Sequence, residues 1–207
     1  MIYEMRTYTM KTGKVGFFES NFAEALPTRQ QYSNLAAFWH TELGPLNQVI
    51  HVWPYKDLQE RADVRLAASN DPSGKWPPKG IEEILNMESE ILLPAPFMNP
   101  LVAPQVLGKV YELRIYTYQV GSMSRVLDIW AEAIPHREKY SKLAACWYSD
   151  LGKLNRFFHL WAYDDFAHRD KVRSEAAKDP NWPPPTSEWL VNMENKILFP
   201  AEFSPLR

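Results

Sequence analysis

The chain repeats itself, and that repeat limits its fold more than any other feature. Tyr3-Glu4-Met5-Arg6-Thr7-Tyr8-Thr9 returns 108 residues later as Tyr111-Glu112-Leu113-Arg114-Ile115-Tyr116-Thr117. The same offset aligns Tyr32-Ser33-Asn34-Leu35-Ala36-Ala37-Phe38-Trp39 with Tyr140-Ser141-Lys142-Leu143-Ala144-Ala145-Cys146-Trp147, and His51-Val52-Trp53-Pro54-Tyr55 with His159-Leu160-Trp161-Ala162-Tyr163. After a two-residue deletion, Trp76-Pro77-Pro78 meets Trp182-Pro183-Pro184. The 207 residues are therefore two copies of one unit. We place them at residues 1–98 and 110–207, joined by a linker at 99–109. Pro94, Pro96, Pro100 and Pro104 interrupt regular structure around that join.

Each copy reads β-α-β-β-α-β. Residues 2–10 alternate and are rich in Tyr and Thr, which predicts a strand. Val15, Phe18, Phe22 and Leu26 fall at helical spacing over residues 14–26, with Pro27, and Pro135 in the second copy, ending or kinking that helix. Strands follow at 35–42 and 46–55, turned by Gly44-Pro45. Asp57 caps the next helix with Glu60 as its capping-box partner; in the second copy Asp165 caps, but His168 stands in place of the Glu and leaves the box incomplete. Residues 85–93 form the last strand. Two helices and four strands in this order give a ferredoxin-like unit with one sheet face covered and one bare. Pressing the two bare faces together predicts an α+β fold, an eight-stranded barrel of the dimeric type built from two tandem units in one chain. A swapped homodimer is the alternative.

Composition excludes several functions. Eight Trp, ten Tyr and ten Phe are too much apolar surface for a disordered chain. A net charge of −2 gives no general attraction to nucleic acid, and no apolar run approaches the ~18 residues of a membrane span. The N-terminus has neither a secretory nor a mitochondrial signal pattern, so a cytoplasmic protein is expected. There is no HExxH, no paired Cys/His spacing and no phosphate-binding glycine loop, so neither a metal nor a bound cofactor is expected. Cys146 reads as a small core residue.

Trp39-His40-Thr41-Glu42-Leu43-Gly44-Pro45-Leu46-Asn47-Gln48-Val49-Ile50-His51-Val52-Trp53-Pro54-Tyr55 resembles the NIPSNAP family motif, as do Tyr3-Glu4-Met5-Arg6-Thr7-Tyr8 and Ile91-Leu92-Leu93-Pro94. The resemblance covers essentially the whole chain as two tandem domains. It implies a dimeric α+β barrel, a superfamily that also holds small monooxygenases, chlorite-dismutase-like haem enzymes and isomerases. It implies no settled chemistry. The second copy departs from the motif: Ser149-Asp150-Leu151-Gly152-Lys153 replaces the first turn, and Arg156 replaces Gln48.

Strand parity gathers the candidate site. Glu4, Arg6 and Tyr8 share one face of the first strand, and Tyr3, Met5, Thr7 and Thr9 share the other. The second set is more apolar and is expected against the helices, which turns Glu4, Arg6 and Tyr8 toward the space between the sheets. His51 and Trp53 share a face of the third strand. Glu112, Arg114, Tyr116, His159 and Trp161 repeat the set, and Glu88 and Glu194 are candidates to join from the last strands. One reading is a pocket for a small, partly aromatic molecule, with His51 and His159 as proton shuttles oriented by Glu and with Arg holding an anion. The other is an internal polar network in a protein-interaction or scaffold protein with no ligand. A homo-oligomer fits either. Arg61 and Arg65, with Arg169 and Arg173, repeat at i,i+4 on the second helices and read as a solvated face. Trp76-Pro77-Pro78 reads as a loop packed on the barrel end.

Overall fold

A computed structural model of the chain describes residues 1–101 and 103–207. The first unit comprises β1 (Ile2–Met10), α1 (Val15–Arg29), β2 (Ala37–Leu43), β3 (Gln48–Tyr55), α2 (Leu58–Ser69) and β4 (Ile84–Pro94). The second comprises β5 (Val110–Tyr118), α3 (Met123–Arg137), β6 (Leu143–Leu151), β7 (Arg156–Tyr163), α4 (Phe166–Ala176) and β8 (Leu190–Pro200). The element order is the one the repeat predicts. Pro27 and Pro135 do not end their helices, which run on to Arg29 and Arg137. The missing proline N–H costs one bond only, and Arg29 and Arg137 stand in the last turn.

The strands close into one barrel in the order β1-β3-β2-β8-β5-β7-β6-β4, every neighbouring pair antiparallel. β2 pairs with β8, and β4 with β6, so each half completes the other within the chain. Gly44 and Gly152 open the β2–β3 and β6–β7 turns at φ +104° and +111°. A Cβ on Gly44 would stand 3.1 Å from the Asn195 carbonyl oxygen, so the close approach of this turn to β8 also calls for glycine.

The core decides which sheet face points inward. Tyr3, Met5, Trp39, Ile50, Val52 and Leu92 share one buried cluster with Tyr111, Leu113, Trp147, Phe158, Leu160 and Leu198. Tyr3 meets Trp147 at 5.8 Å between ring centroids, and Trp39 meets Tyr111 at 5.9 Å, both across the halves. The parity assignment is therefore reversed. The apolar Tyr3/Met5 face fills the barrel, and the Glu4/Arg6/Tyr8 face lies beneath the helices, where Phe22 of α1 reaches His51 and Arg61 of α2 reaches Glu4. A closed barrel interior is drier than a sheet–helix layer, because two long arginines can enter that layer from solvent. The more apolar set goes to the drier side.

One end of the interior is plugged by charge. Arg156 pairs with Glu90 at 2.5 Å, and Lys196 donates to the Gln48 side chain at 2.9 Å. The second helix caps follow expectation: Asp57 and Asp165 accept from the backbone N–H of Glu60 and His168. The missing Glu in the second copy leaves no gap. Asp164 N–H donates to His168 Nδ1 at 3.1 Å, as Lys56 N–H donates to Glu60 in the first, so the imidazole completes the box. Among the described residues no helix is long and apolar enough to cross a membrane, and no cluster of three or more His, Cys, Asp or Glu could hold a metal ion.

Candidate functional site

Register brings the site together. Arg6 lies opposite His51 and Glu4 opposite Trp53 across β1 and β3; Arg114 faces His159 and Glu112 faces Trp161 across β5 and β7. Above each group lies a cavity between the sheet and its helices. In the first half it measures about 230 Å³ and is lined by Arg6, Tyr8, His51 and Trp53 from the sheet, Arg29 from α1 and Arg65 from α2. Trp76, Pro77 and Pro78 form a wall, so the aromatic–proline loop belongs to the cavity. The second half repeats this in about 290 Å³ with Arg114, Tyr116, His159, Trp161, Arg137, Arg173, Trp182 and Pro183. A larger groove of about 610 Å³ lies beside the linker, but its charged lining residues, Lys56 and Glu60, are exposed.

The expected residues divide between these sites. Arg6, Tyr8, His51 and Trp53 line one cavity, and Arg114, Tyr116, His159 and Trp161 line the other, so the halves share no common interior site. Glu4 and Glu112 are fully buried beneath the arginines. Glu88 and Glu194 do not join. They lie on the opposite parity, across from Thr7 and Ile115, and are exposed. Arg29 and Arg137 carried no sequence signal beyond recurring after Pro27 and Pro135. The i,i+4 arginines do not form a solvated face: Arg61 and Arg169 bind the buried carboxylates, and Arg65 and Arg173 reach the cavities. A buried Glu under a helix was the signal that could have oriented them.

Glu4 draws three arginines of its half together. Its Oε1 accepts from Arg6 at 2.6 Å, Arg61 at 2.7 Å and Ser89 at 2.7 Å, and Arg65 stands 3.6 Å from Oε2. Burial pushes its carboxyl up, but the Arg61 and Ser89 hydrogen bonds and the Arg65 and Arg6 charges outweigh that and hold it down to about 2. Glu112 is likewise depressed, by Arg169, Arg173 and Arg114 against burial.

The histidines are not bound to the glutamates. Trp53 donates its indole N–H to His51 Nδ1 at 2.7 Å, and Trp161 does the same to His159. An indole can only donate, so Nδ1 is the acceptor and the proton of the neutral ring sits on Nε2. Burial, then the Arg6 charge, pushes His51 down to about 3; burial and Arg114 drive His159 well below its ordinary value. These rings stay neutral. Each ring is oriented by its tryptophan, and not by a glutamate as the sequence leads one to expect.

The NIPSNAP family model matches residues 3–99 and 111–205. The chain belongs to the NIPSNAP family. It is 32% identical to human NipSnap homolog 3B over 99% of this chain and 85% of that protein. It is 30% identical to the Dictyostelium discoideum NipSnap homolog over 97% of this chain and 88% of that one. A monooxygenase-like protein of Fusobacterium nucleatum, 13% identical, superposes over 96% of this chain and 91% of its own with a TM-score of 0.67, a likeness of fold. The two matched segments fall on the two halves of the barrel, each with its own cavity.

Proposed function

We propose that this NIPSNAP protein binds a small, partly aromatic molecule, one in each half, in the cavity between sheet and helices. Each half, 1–98 and 110–207 about a linker at 99–109, carries its own complete site. The observation that supports this reading is the His51 Nε2–H. The ring is 2% exposed and lines the cavity, and that nitrogen has no partner among the described residues; His159 repeats it. A buried donor left unmade costs about 1–3 kcal/mol, a cost a ligand acceptor would remove. The neighbouring Arg6, by contrast, donates to both Glu4 and Tyr8. The cavities sit just below the ~300 Å³ at which drug-sized pockets begin, so metabolite-sized ligands are expected. The test is titration of the intact chain with small aromatic compounds, followed by indole fluorescence. His51→Leu with His159→Leu should abolish binding while the melting transition stays cooperative; undiminished binding in that variant would sink the proposal.

A second reading, self-association, rests on a different surface. β4 pairs with β6 only over Ile91–Pro94, leaving one edge of its first half open, with Leu85 and Met87 exposed; Val191 and Met193 repeat this on β8. Open edges bearing apolar side chains favour pairing with another chain. Sedimentation of wild type against Leu85→Lys with Val191→Lys tests it: a mass that matches one chain in both removes this reading.

A further inference from the structure

We infer that the group these cavities hold is a carboxylate carried on a flat apolar body. The inference rests on the binding reading above and adds the class of ligand. Every charged side chain that lines the first cavity is an arginine, Arg6, Arg29 and Arg65, and the second cavity repeats this with Arg114, Arg137 and Arg173. Arg6 is bound to Glu4 and Tyr8. Arg29 is different. It is 3% exposed, it donates to the neutral Ser33 Oγ at 2.7 Å and Tyr55 hydroxyl at 2.9 Å, and among the described residues no carboxylate pairs with it. Its guanidinium lies 4.4 Å from the Trp53 ring centre, an arrangement Arg137 repeats over Trp161. A buried guanidinium has five donors and full charge, and desolvating it without an anion is costly. Arg65 adds a second cation whose nearest carboxylate is 3.6 Å away.

Three features narrow the anion. The neutral His51 Nε2–H is one donor, unpaired among the described residues, on a ring that lines the cavity, and a guanidinium offers the planar fork that matches a carboxylate. Of the helix residues that line the first cavity, Phe18 stands in the first turn of α1 with its N–H already bonded to the Lys14 carbonyl, and Phe22, Arg29, Arg65 and Ser69 come from the middle or C-terminal ends of α1 and α2. No α-helix N-terminus therefore supplies the backbone N–H cradle that favours phosphate. The remaining walls, Phe18, Phe22, Trp53 and Trp76, are ring faces and edges suited to a flat body.

In the second half the wall residues Phe18 and Phe22 become Val126 and Trp130, and Phe38 and Val49 beside His51 become Cys146 and Phe157. Arg6, Arg29, Arg65, His51, Trp53 and Trp76 all return unchanged. Both halves therefore carry the same cation–donor–ring set.

Titration of the intact chain with benzoate, benzamide and phenyl phosphate tests the inference by calorimetry. Benzoate should bind about tenfold or more tighter than benzamide. Arg29→Met with Arg137→Met should abolish the preference, bringing benzoate down to the level of benzamide. If that variant loses its cooperative melt, Arg65→Gln with Arg173→Gln, at half-exposed positions, should reduce the same preference. Equal binding of benzoate and benzamide overturns the carboxylate and leaves the pocket reading standing. Tighter binding of phenyl phosphate overturns it in favour of a phosphate ester. Failure of all three to bind overturns both readings.

Discussion

At the scale of single residues, Trp53 decides the chemistry of His51. Because its N–H occupies Nδ1 at 2.7 Å, the proton sits on Nε2. In Trp53→Phe that constraint is gone, and nitrogen-detected NMR of the His51 ring should show the tautomers mixing; an unchanged Nε2–H form would refute the assignment. The buried titratable groups also set the acid response. The unfolded chain protonates His51 near 6.5, the folded chain only near 3, so the folded state binds fewer protons between those values and loses stability as pH falls through them. Glu4 acts in the same direction lower down: its folded value is depressed from 4.5 to about 2, so its contribution is complete above 4.5 and is lost as pH falls toward 2. Melting temperature should therefore decline from about pH 6.5 downward. In His51→Leu with His159→Leu the decline should begin only near pH 4.5, and a wild-type curve flat from 6.5 to 4.5 would contradict the buried neutral rings. Glu4→Gln at neutral pH strips the carboxylate from three arginines and is expected to cost about 3 kcal/mol or more by denaturant melts.

At the scale of elements, the capping residues were readable in the sequence and the sheet faces were not. Asp57→Ala or Asp165→Ala should each cost about 1 kcal/mol, measured as a lowered denaturant midpoint with unchanged slope. Those caps were legible because a cap is a local pattern, set by one side chain and the N–H three residues on. Period-2 alternation on β1 was legible for the same reason. What alternation cannot say is which face is which when both are buried, and nearly every residue of β1 is buried. Glu4, Arg6 and Tyr8 were correctly grouped with His51 and Trp53 because parity and register fixed the grouping. They were assigned to the wrong layer because that choice depends on Arg61 and Arg65 coming down from α2, a tertiary fact. Arg29 is not legible in the sequence, since a buried arginine that hydrogen-bonds only to Ser33 and Tyr55 leaves no charge pattern along the chain.

At the scale of the whole molecule, the repeat predicts a symmetric barrel, and the charges at its plugged end break that symmetry. Gln48 and Glu90 of the first unit correspond to Arg156 and Lys196 of the second. The contacts run between units: Glu90 with Arg156, and Gln48 with Lys196. A second unit paired with its own copy would place Lys196 against Arg156 at both seams, two cations in a setting where Arg156 is buried and burial already lowers the Lys196 ammonium. A first unit paired with its own copy would place Glu90 beside Gln48, with no ion pair. The mixed pairing gives Arg156 the Glu90 carboxylate in addition to Glu194 of its own unit, and gives Lys196 an acceptor in Gln48, so the departure of Arg156 from the family motif fits one half to the other. A double-mutant cycle reads this directly. Arg156→Glu alone sets two carboxylates together and should destabilise the intact chain by several kcal/mol. Adding Glu90→Arg should recover a large part, with a coupling energy of about 1 kcal/mol or more by chemical denaturation. Strictly additive effects would mean that the 2.5 Å pair does not select the partner, and that the apolar interior alone matches the two units.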